Sequence, residues 1–468
     1  MGAPRGSLIL QYLFESMLIT ILAVFVSLLV VEIILPQFNQ ITGKHLSLKF
    51  SALLLLGIIC ITIFTSLLSG SYPAIYLSGI KPATALKGRL TLTTAALLTR
   101  QGLVVFQFAF SAILIVAVLI VYKQIEYIQQ SNPGYKKENV LYFETNGTLK
   151  NKIGFVIDQV KKMDGVANAS SIDREFLGDL SYTLGDFDWE GRNHKEVVKF
   201  QRADVNAGLI ETMGIEMVAG RSFSEQFGSD TSKIIINEAG IKIMGLKNPV
   251  GKIFKLWGNP MQIIGVVKDF HFESFHQKVG PLFMRYRPVN TNRIMVKIKA
   301  GNIGPVIKSL QQFNARHNPA YAFDYKFLDQ DFQTQYAGES RVGLLSKYFA
   351  LLAIMISCLG LFGLAIFTAE KRFKEIGIRK ILGASELNVI YMLSKDFTKP
   401  VLISILIAMP LGYLLGKNWL NSFAYRIDLK LWFFLVSGFV AFFISLVTVF
   451  FQAWRAAKIN PVEAVKAD

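Results

Sequence analysis

Cysteine and histidine are scarce in this sequence, with two and five respectively among 468 residues. Cys60 and Cys358 both fall inside long apolar runs, so the polar part of the chain has no disulfide staple and must stand on a hydrophobic core. The histidines form one cluster, HFESFH at His271–His276, but it spaces them five apart with the glutamate displaced. A zincin helix needs HExxH, so the cluster reads as a strand and turn and no metal site is expected. No GxSxG elbow presents a serine nucleophile. The nearest approach to a phosphate loop is GLKNPVGK at Gly245–Lys252. It has one residue too many between its glycines, Ile253 where a Ser or Thr would reach magnesium, and Pro249 stiffening the turn. The chain is therefore read as a non-enzyme with no catalytic residue and no cofactor, and an enzymatic outer domain is kept only as a minor alternative.

Acidic residues are also few, 33 against 50 basic ones, for a formal net charge of +17. That excess does not call for nucleic acid, because it gathers where apolar runs end. Lys81, Lys87, Arg89 and Arg100 follow the second run, residues 371–380 follow the fourth, and Arg455 and Lys458 follow the sixth. The positive-inside rule places all three regions in the cytoplasm, with both termini, and residues 123–347 outside.

What the chain has in quantity is apolar surface: 52% hydrophobic residues and a mean hydropathy of +0.40. Six windows are long enough to cross a bilayer, Met17–Leu35, Phe50–Gly70, Leu103–Tyr122, Tyr348–Phe367, Val401–Gly416 and Leu431–Phe451, the fifth being the shortest. The first is long and lacks a small-residue cleavage site, so no cleavable signal peptide is expected. Apart from Glu32, near the outer end of the first window, they carry no charge, which argues against an ion or proton path. Gly412 and Gly416, beside Pro410, make a GxxxG step suited to close helix packing.

Residues 123–347 are enough for an independent core and read as mixed α+β. Strands are expected at Asn139–Glu144, Val197–Ala203, Lys233–Ile236, Met261–Asp269, Arg293–Ile298 and Ala322–Leu328. Helical stripes are expected from Ile153, Val156, Ile157 and Val160, and over Pro305–His317. The segment Arg174–Arg192 is aromatic and irregular and receives no assignment. The third span continues through Ile125 and Ile128 until Asn132-Pro133-Gly134 stops it, and Phe332–Ser346 is a helical approach to the fourth. These two stalks would carry movement between the outer domain and the membrane.

Between the fourth and fifth windows lies EKRFKEIGIRKILGAS, Glu370–Ser385. Its basic residues alternate with Ile376, Ile378, Ile381 and Leu382 at near-helical spacing, which predicts a short amphipathic helix at a membrane surface. Gly377, mid-helix, implies close approach by another surface. The string KEIGIRKILGAS closely resembles the cytoplasmic coupling segment of MacB/FtsX-type ABC transporter permeases. Gly208–Ser224 and Ile263–Phe283 likewise resemble the family's outer core domain.

The chain also repeats itself. Gly2-Ala3 and Leu8-Ile9 lie on Gly383-Ala384 and Val389-Ile390, and IKPATALKG at Ile80–Gly88 lies on INPVEAVKA at Ile459–Ala467. In the family, this pattern is the end of a first permease unit followed by a complete second one, with an earlier span and outer domain supplied elsewhere or missing. The resemblance implies an α-helical bundle of six spans plus an α+β extracytoplasmic domain, porter-like with a second lobe. It divides the chain into residues 1–100 (end of a first unit), 101–122 (a span), 123–347 (outer core domain) and 348–468 (second unit).

It further implies a permease in a bacterial cytoplasmic membrane that couples a partner ATPase to movement of the outer domain, for export or lipoprotein release. Glu375, Gly377, Ile378, Arg379, Lys380, Gly383 and Ala384 would form the ATPase contact, with Ala3 and Arg5 the remnant of an equivalent first contact. The implied partners are a cytoplasmic ABC ATPase subunit, membrane lipids, a second permease half or second copy, and outer envelope components. A membrane-bound sensor or scaffold without transport is the alternative.

Overall fold

The computed structural model describes residues 5–78, 94–178, 181–184, 187–193, 195, 197–227 and 230–458. In chain order, α1 (Arg5–Thr42), α2 (Ala52–Ser78) and α3 (Thr94–Gln130) come first. The polar segment begins β1 (Val140–Glu144), α4 (Ile153–Lys161), β2 (Val166–Ile172), β3 (Ser181–Leu184), β4 (Phe187–Trp189), β5 (Lys199–Val205), α5 (Leu209–Met213) and β6 (Met217–Gly220). It continues with β7 (Lys233–Asn237), α6 (Glu238–Met244), β8 (Ile253–Leu256), β9 (Asn259–Val267), β10 (Leu282–Tyr286), β11 (Arg293–Ile298), α7 (Ile303–His317), β12 (Lys326–Phe327) and α8 (Leu328–Gln335). The chain then enters α9 (Ala337–Lys371), α10 (Phe373–Ile381), α11 (Glu386–Leu420) and α12 (Trp432–Ala457).

Among the described residues six helices are long and apolar enough to cross a membrane, and each overlaps one of the six windows read from the sequence, with Phe50, Ser51 and Leu431 falling just before their helices. Four of them, α1 with 38 residues, α3 with 37, and α9 and α11 with 35 each, at about 1.5 Å per residue far outrun a hydrocarbon core of roughly 30 Å. The length the stalk reading expects of α3 and α9 is therefore present but not special to them.

The residues divide into two compact units. The first comprises residues 1–115, 344–409 and 436–468, and its described residues are mainly helical. Within it α1 packs on α2, where a Cβ on Gly70 would meet Ser16 Oγ at 2.8 Å, while Phe25, Ile33, Leu53 and Phe64 stay exposed, as lipid-facing side chains do. Elsewhere in this unit Val104, Phe108, Leu361, Ala365, Phe397, Val401, Ile405 and Val449 form a buried core. Beside it the Ser111 and Ser357 hydroxyls lie 3.0 Å apart, and Gly360 lets Gln107 approach. Small residues and paired hydroxyls replace the hydrophobic drive that lipid does not supply.

The second unit comprises residues 116–343 and 410–435. Its sheet runs β12-β1-β11-β2-β5-β10-β7-β9-β8-β4, with β3 on β5 and β6 on β9. β5 with β10 and β7 with β9 are parallel pairs and the rest are antiparallel. The two predicted amphipathic helices, α4 and α7, turn Val156, Val160, Val306 and Leu310 into one core with Leu141, Ile294 and Val296 of the sheet. A separate aromatic core holds Phe187, Trp189, Phe200, Phe254 and Phe283, and this is where part of the unassigned segment Arg174–Arg192 belongs. Gly412 and Gly416 of α11 let Val116 and Ile120 of α3 come into contact. One strand is shorter than expected. Ala322–Leu328 reduces to Lys326–Phe327, because only Leu141 and Tyr142 offer it a pairing edge. Phe323 and Tyr325 pack instead against the helix-covered core.

Candidate coupling site

α9 ends at Lys371, and Arg372 (φ −99°, ψ 15°) turns the chain into α10. The Arg372 guanidinium lies 2.9 Å from the Asp396 carboxylate, tying that turn to α11. Ile376 is the inward anchor of α10. It is buried in a cluster with Val389, Ile390, Leu393, Ala453, Ala456 and Ala457, and Gly377 is buried with it. Ile378, Ile381 and Leu382 do not share this face. Each is more than half exposed, so the single aliphatic ridge expected from sequence splits into one inward isoleucine and three outward residues. A helix turning about 100° per residue puts positions 376 and 378 nearly opposite each other.

The expected contact residues divide in the same way. Glu375 and Arg379 are exposed and pair with each other across one turn, 2.8 Å apart, an interaction worth about 0.3–0.5 kcal/mol. Lys380 turns inward, donating to the carbonyl of Ala457, where an ammonium satisfies the C-terminal end of α12. Gly383 (φ +92°) closes α10. Its N–H bonds Lys380 O at 3.0 Å and that of Ala384 bonds Arg379 O at 2.9 Å, a Schellman pattern that a left-handed residue makes cheap only as glycine. Ser385 then starts α11, its hydroxyl accepting from Asn388 N at 3.4 Å. Leu382 to Ser385 thus form a reversal held by local backbone and hydroxyl hydrogen bonds, while the Ile381 and Leu382 side chains stay exposed.

Two exposed residues escaped the sequence reading, Leu387 and Tyr391. They lie one turn apart at the start of α11. With Ile378, Ile381 and Leu382 they give this elbow a run of exposed apolar side chains flanked by Lys374 and Arg379. Ala3 and the matching tails at 80–88 and 459–467 lie outside the described residues, and Arg5 begins α1.

A second constellation lies in the other unit, at HFESFH. His271 N–H bonds Pro133 O at 2.7 Å, within the Asn-Pro-Gly stop that follows α3. The carbonyl of Phe275 accepts from Ala424 N and Tyr425 N at 3.1 and 3.2 Å, and its N–H donates to the Tyr336 hydroxyl at 2.9 Å. His276 Nδ1 lies 2.8 Å from Ser422 O and Nε2 3.0 Å from Glu339 Oε1, while its ring stacks on Phe423. Gln124 of α3 completes the joint, donating to Tyr425 O at 2.9 Å and accepting from Ile427 N at 3.0 Å. The turn at 271–276 is therefore bonded to the chain just after α3, to the start of α9 and to the chain after α11, which Gln124 of α3 also holds. Burial against Phe275 and Tyr425 drives the His271 pKa down to about 4, so this ring is neutral at physiological pH. Among the described residues no group of three or more His, Cys, Asp or Glu could hold a metal ion.

Residues 348–461 match the family described as FtsX-like permease C-terminal. The macrolide export ATP-binding/permease protein MacB of Neisseria gonorrhoeae is 25% identical over 293 residues, covering 58% of this chain and 45% of that protein. A protein of Pseudomonas syringae pv. syringae named as a probable syringafactin export ATP-binding/permease protein, SyfD, is 24% identical over 309 residues, covering 59% and 45%. The chain thus spans less than half the length of these relatives. Among solved structures, the periplasmic region of MacB from Actinobacillus actinomycetemcomitans aligns at 16% identity and a TM-score of 0.32, covering 44% of this chain and 96% of that one. The extracellular domain of the transporter YknZ aligns at 19% and 0.29. Residues 348–461 thus carry an FtsX-like permease C-terminal domain, and with its six apolar helices the chain resembles multi-pass inner-membrane permeases of the MacB/FtsX type.

Proposed function

We propose that this chain is the transmembrane permease of an ABC transporter and works by transmitting movement. A cytoplasmic ATPase subunit closes on ATP and pushes on the α10–α11 elbow, and α9 carries the displacement to the extracytoplasmic domain. The observation that carries this reading is the elbow's two-sidedness. Ile376 anchors it among apolar residues of its own unit, while Ile378, Ile381, Leu382, Leu387 and Tyr391 stand exposed between basic residues. An exposed apolar run of this kind marks an interaction surface. The continuity of α9 over 35 residues and the bonds around His276 support the transmission.

In this reading residues 348–468 are a complete second permease unit, residues 1–100 the end of a first, 101–122 a connecting span and 123–347 the outer domain. ATP chemistry comes from the partner, as it comes from the ATP-binding part named in the MacB and SyfD relatives. A second permease half or second copy completes the membrane part, outer envelope components receive the cargo, and export or lipoprotein release is the transport carried out. The test is co-purification of an ATPase with the detergent-solubilised chain, comparing wild type with Ile378→Glu. Capture by wild type alone supports the reading; capture by neither points to a sensor or scaffold.

A further inference from the structure

A cleft of about 450 Å³ opens in the helical unit between the ends of α9 and α12. Ile366 and Ala369 of α9, Phe373 of α10 and Ala456 of α12 give it an apolar wall. Three polar side chains share the lining: Glu370, Gln452 and Arg455. None of the three makes a side-chain hydrogen bond or ion pair with another described residue. Glu370 and Arg455 carry opposite charges into one cleft without pairing, and Gln452 is only 7% exposed, an amide lining that cleft with its own bonds unmade. Of the three only Gln452 is buried; Glu370 and Arg455 are exposed at the mouth of the cleft, where two opposite charges left unpaired beside an apolar wall can each take a complementary group from one amphiphilic occupant.

The occupant's chemistry follows from the lining. It needs an anionic group for Arg455, a cationic hydrogen-bond donor for Glu370, an acceptor for the Gln452 amide, and an apolar part for Ile366 and Phe373. The cleft also lies at interfacial depth, since the fourth and sixth apolar helices end here and the neighbouring Trp454 ring carries Lys458 Nζ 3.9 Å from its centre. We propose that this cleft binds the headgroup of a zwitterionic phospholipid with a primary ammonium, phosphatidylethanolamine, its phosphate on Arg455 and its ammonium on Glu370. An anionic headgroup would leave Glu370 facing negative charge, and a choline headgroup has no N–H to give it. The site rests on the reading that this end of the bundle meets the cytoplasmic leaflet, and it does not depend on an ATPase docking at the elbow.

The test is native mass spectrometry of the delipidated full-length chain, titrated with phosphatidylethanolamine, phosphatidylcholine and phosphatidylglycerol of identical acyl chains. Wild type is expected to retain one phosphatidylethanolamine per chain with about tenfold preference over the other two, a difference of roughly 1.4 kcal/mol. Arg455→Gln should lose that retention about tenfold, while Glu370→Gln should erase the preference over both competitors. Equal retention of all three lipids by wild type, or an unchanged preference in both variants, overturns the site and leaves annular lipid only. Shielding of Arg455 by a co-purified ATPase, with no lipid retained, also overturns it, in favour of a protein occupant. The headgroup comparison on wild type needs no variant to fold. ATPase capture through Ile378 is read separately, so failure of the lipid site and failure of the permease reading remain distinguishable.

Discussion

His276 and Ser422 meet across 146 residues of sequence, Nδ1 of the ring 2.8 Å from the backbone carbonyl, while the ring's other nitrogen engages Glu339. One side chain thus spans the outer domain's turn, the start of α9 and the chain after α11. Loss of this ring loosens the joint without emptying a core, because the imidazole is about one-third exposed.

His276→Ala is therefore expected to raise hydrogen exchange at the amides of Ala424 and Tyr425, both bonded to Phe275 O, by about tenfold, with exchange in the β7–β9 core unchanged. Unaltered exchange at 424 and 425 would remove His276 from the joint.

His271 gives the joint a pH dependence of fixed sign. Burial lowers its pKa from 6.5 to about 4, so as pH falls through that interval the unfolded chain takes up a proton that the folded ring resists. Stability is fully present above pH 6.5 and declines toward pH 4. The melting temperature of the detergent-solubilised chain should fall between pH 7 and pH 5, and His271→Phe should flatten part of that fall. Equal slopes in the two proteins would count against a buried neutral ring.

Arg285 forks onto the buried carboxylate of Asp204, with Nε–Oδ1 and Nη2–Oδ2 at 2.7 and 2.8 Å. Arg285→Leu leaves that carboxylate only Asn290 Nδ2 at 2.9 Å and Arg202 Nε at 3.9 Å, and should cost about 2–4 kcal/mol, read as a lower denaturation midpoint of the outer domain. The double variant with Asp204→Leu should recover part of the loss.

Gly416 faces the Ile120 side chain across the α3–α11 contact. Gly416→Val adds atoms where none fit and should destabilise the chain by about 1–3 kcal/mol, whereas Gly363→Val, with nothing within 4 Å, should not. Thermal unfolding in detergent separates the two.

At the elbow, Ile378→Glu should abolish ATPase capture while leaving the melting temperature within about 1 °C, since an exposed site contributes little to stability. Ile376→Ala should do the reverse first, lowering stability by about 2–4 kcal/mol through the cavity it leaves. If both variants behaved alike, the split of this helix into an inner and an outer face would have no functional meaning.

Six spans, two stripe-bearing helices and the strand at Arg293–Ile298 were all legible in the sequence. Each depends on properties that repeat within a few residues: a desolvated run as long as the bilayer, a period of 3.6, an alternation of two. Only the folded chain decided which isoleucine of α10 turns inward, that Lys380 is spent on Ala457, that HFESFH holds Ser422 and Glu339, and that Glu370, Gln452 and Arg455 line one cleft. The partners in the first three are 63 to 146 residues apart in sequence or, for Ile376, on separate helices. No local period records such pairings, which are selected when burial and hydrogen bonding are satisfied for the whole chain at once.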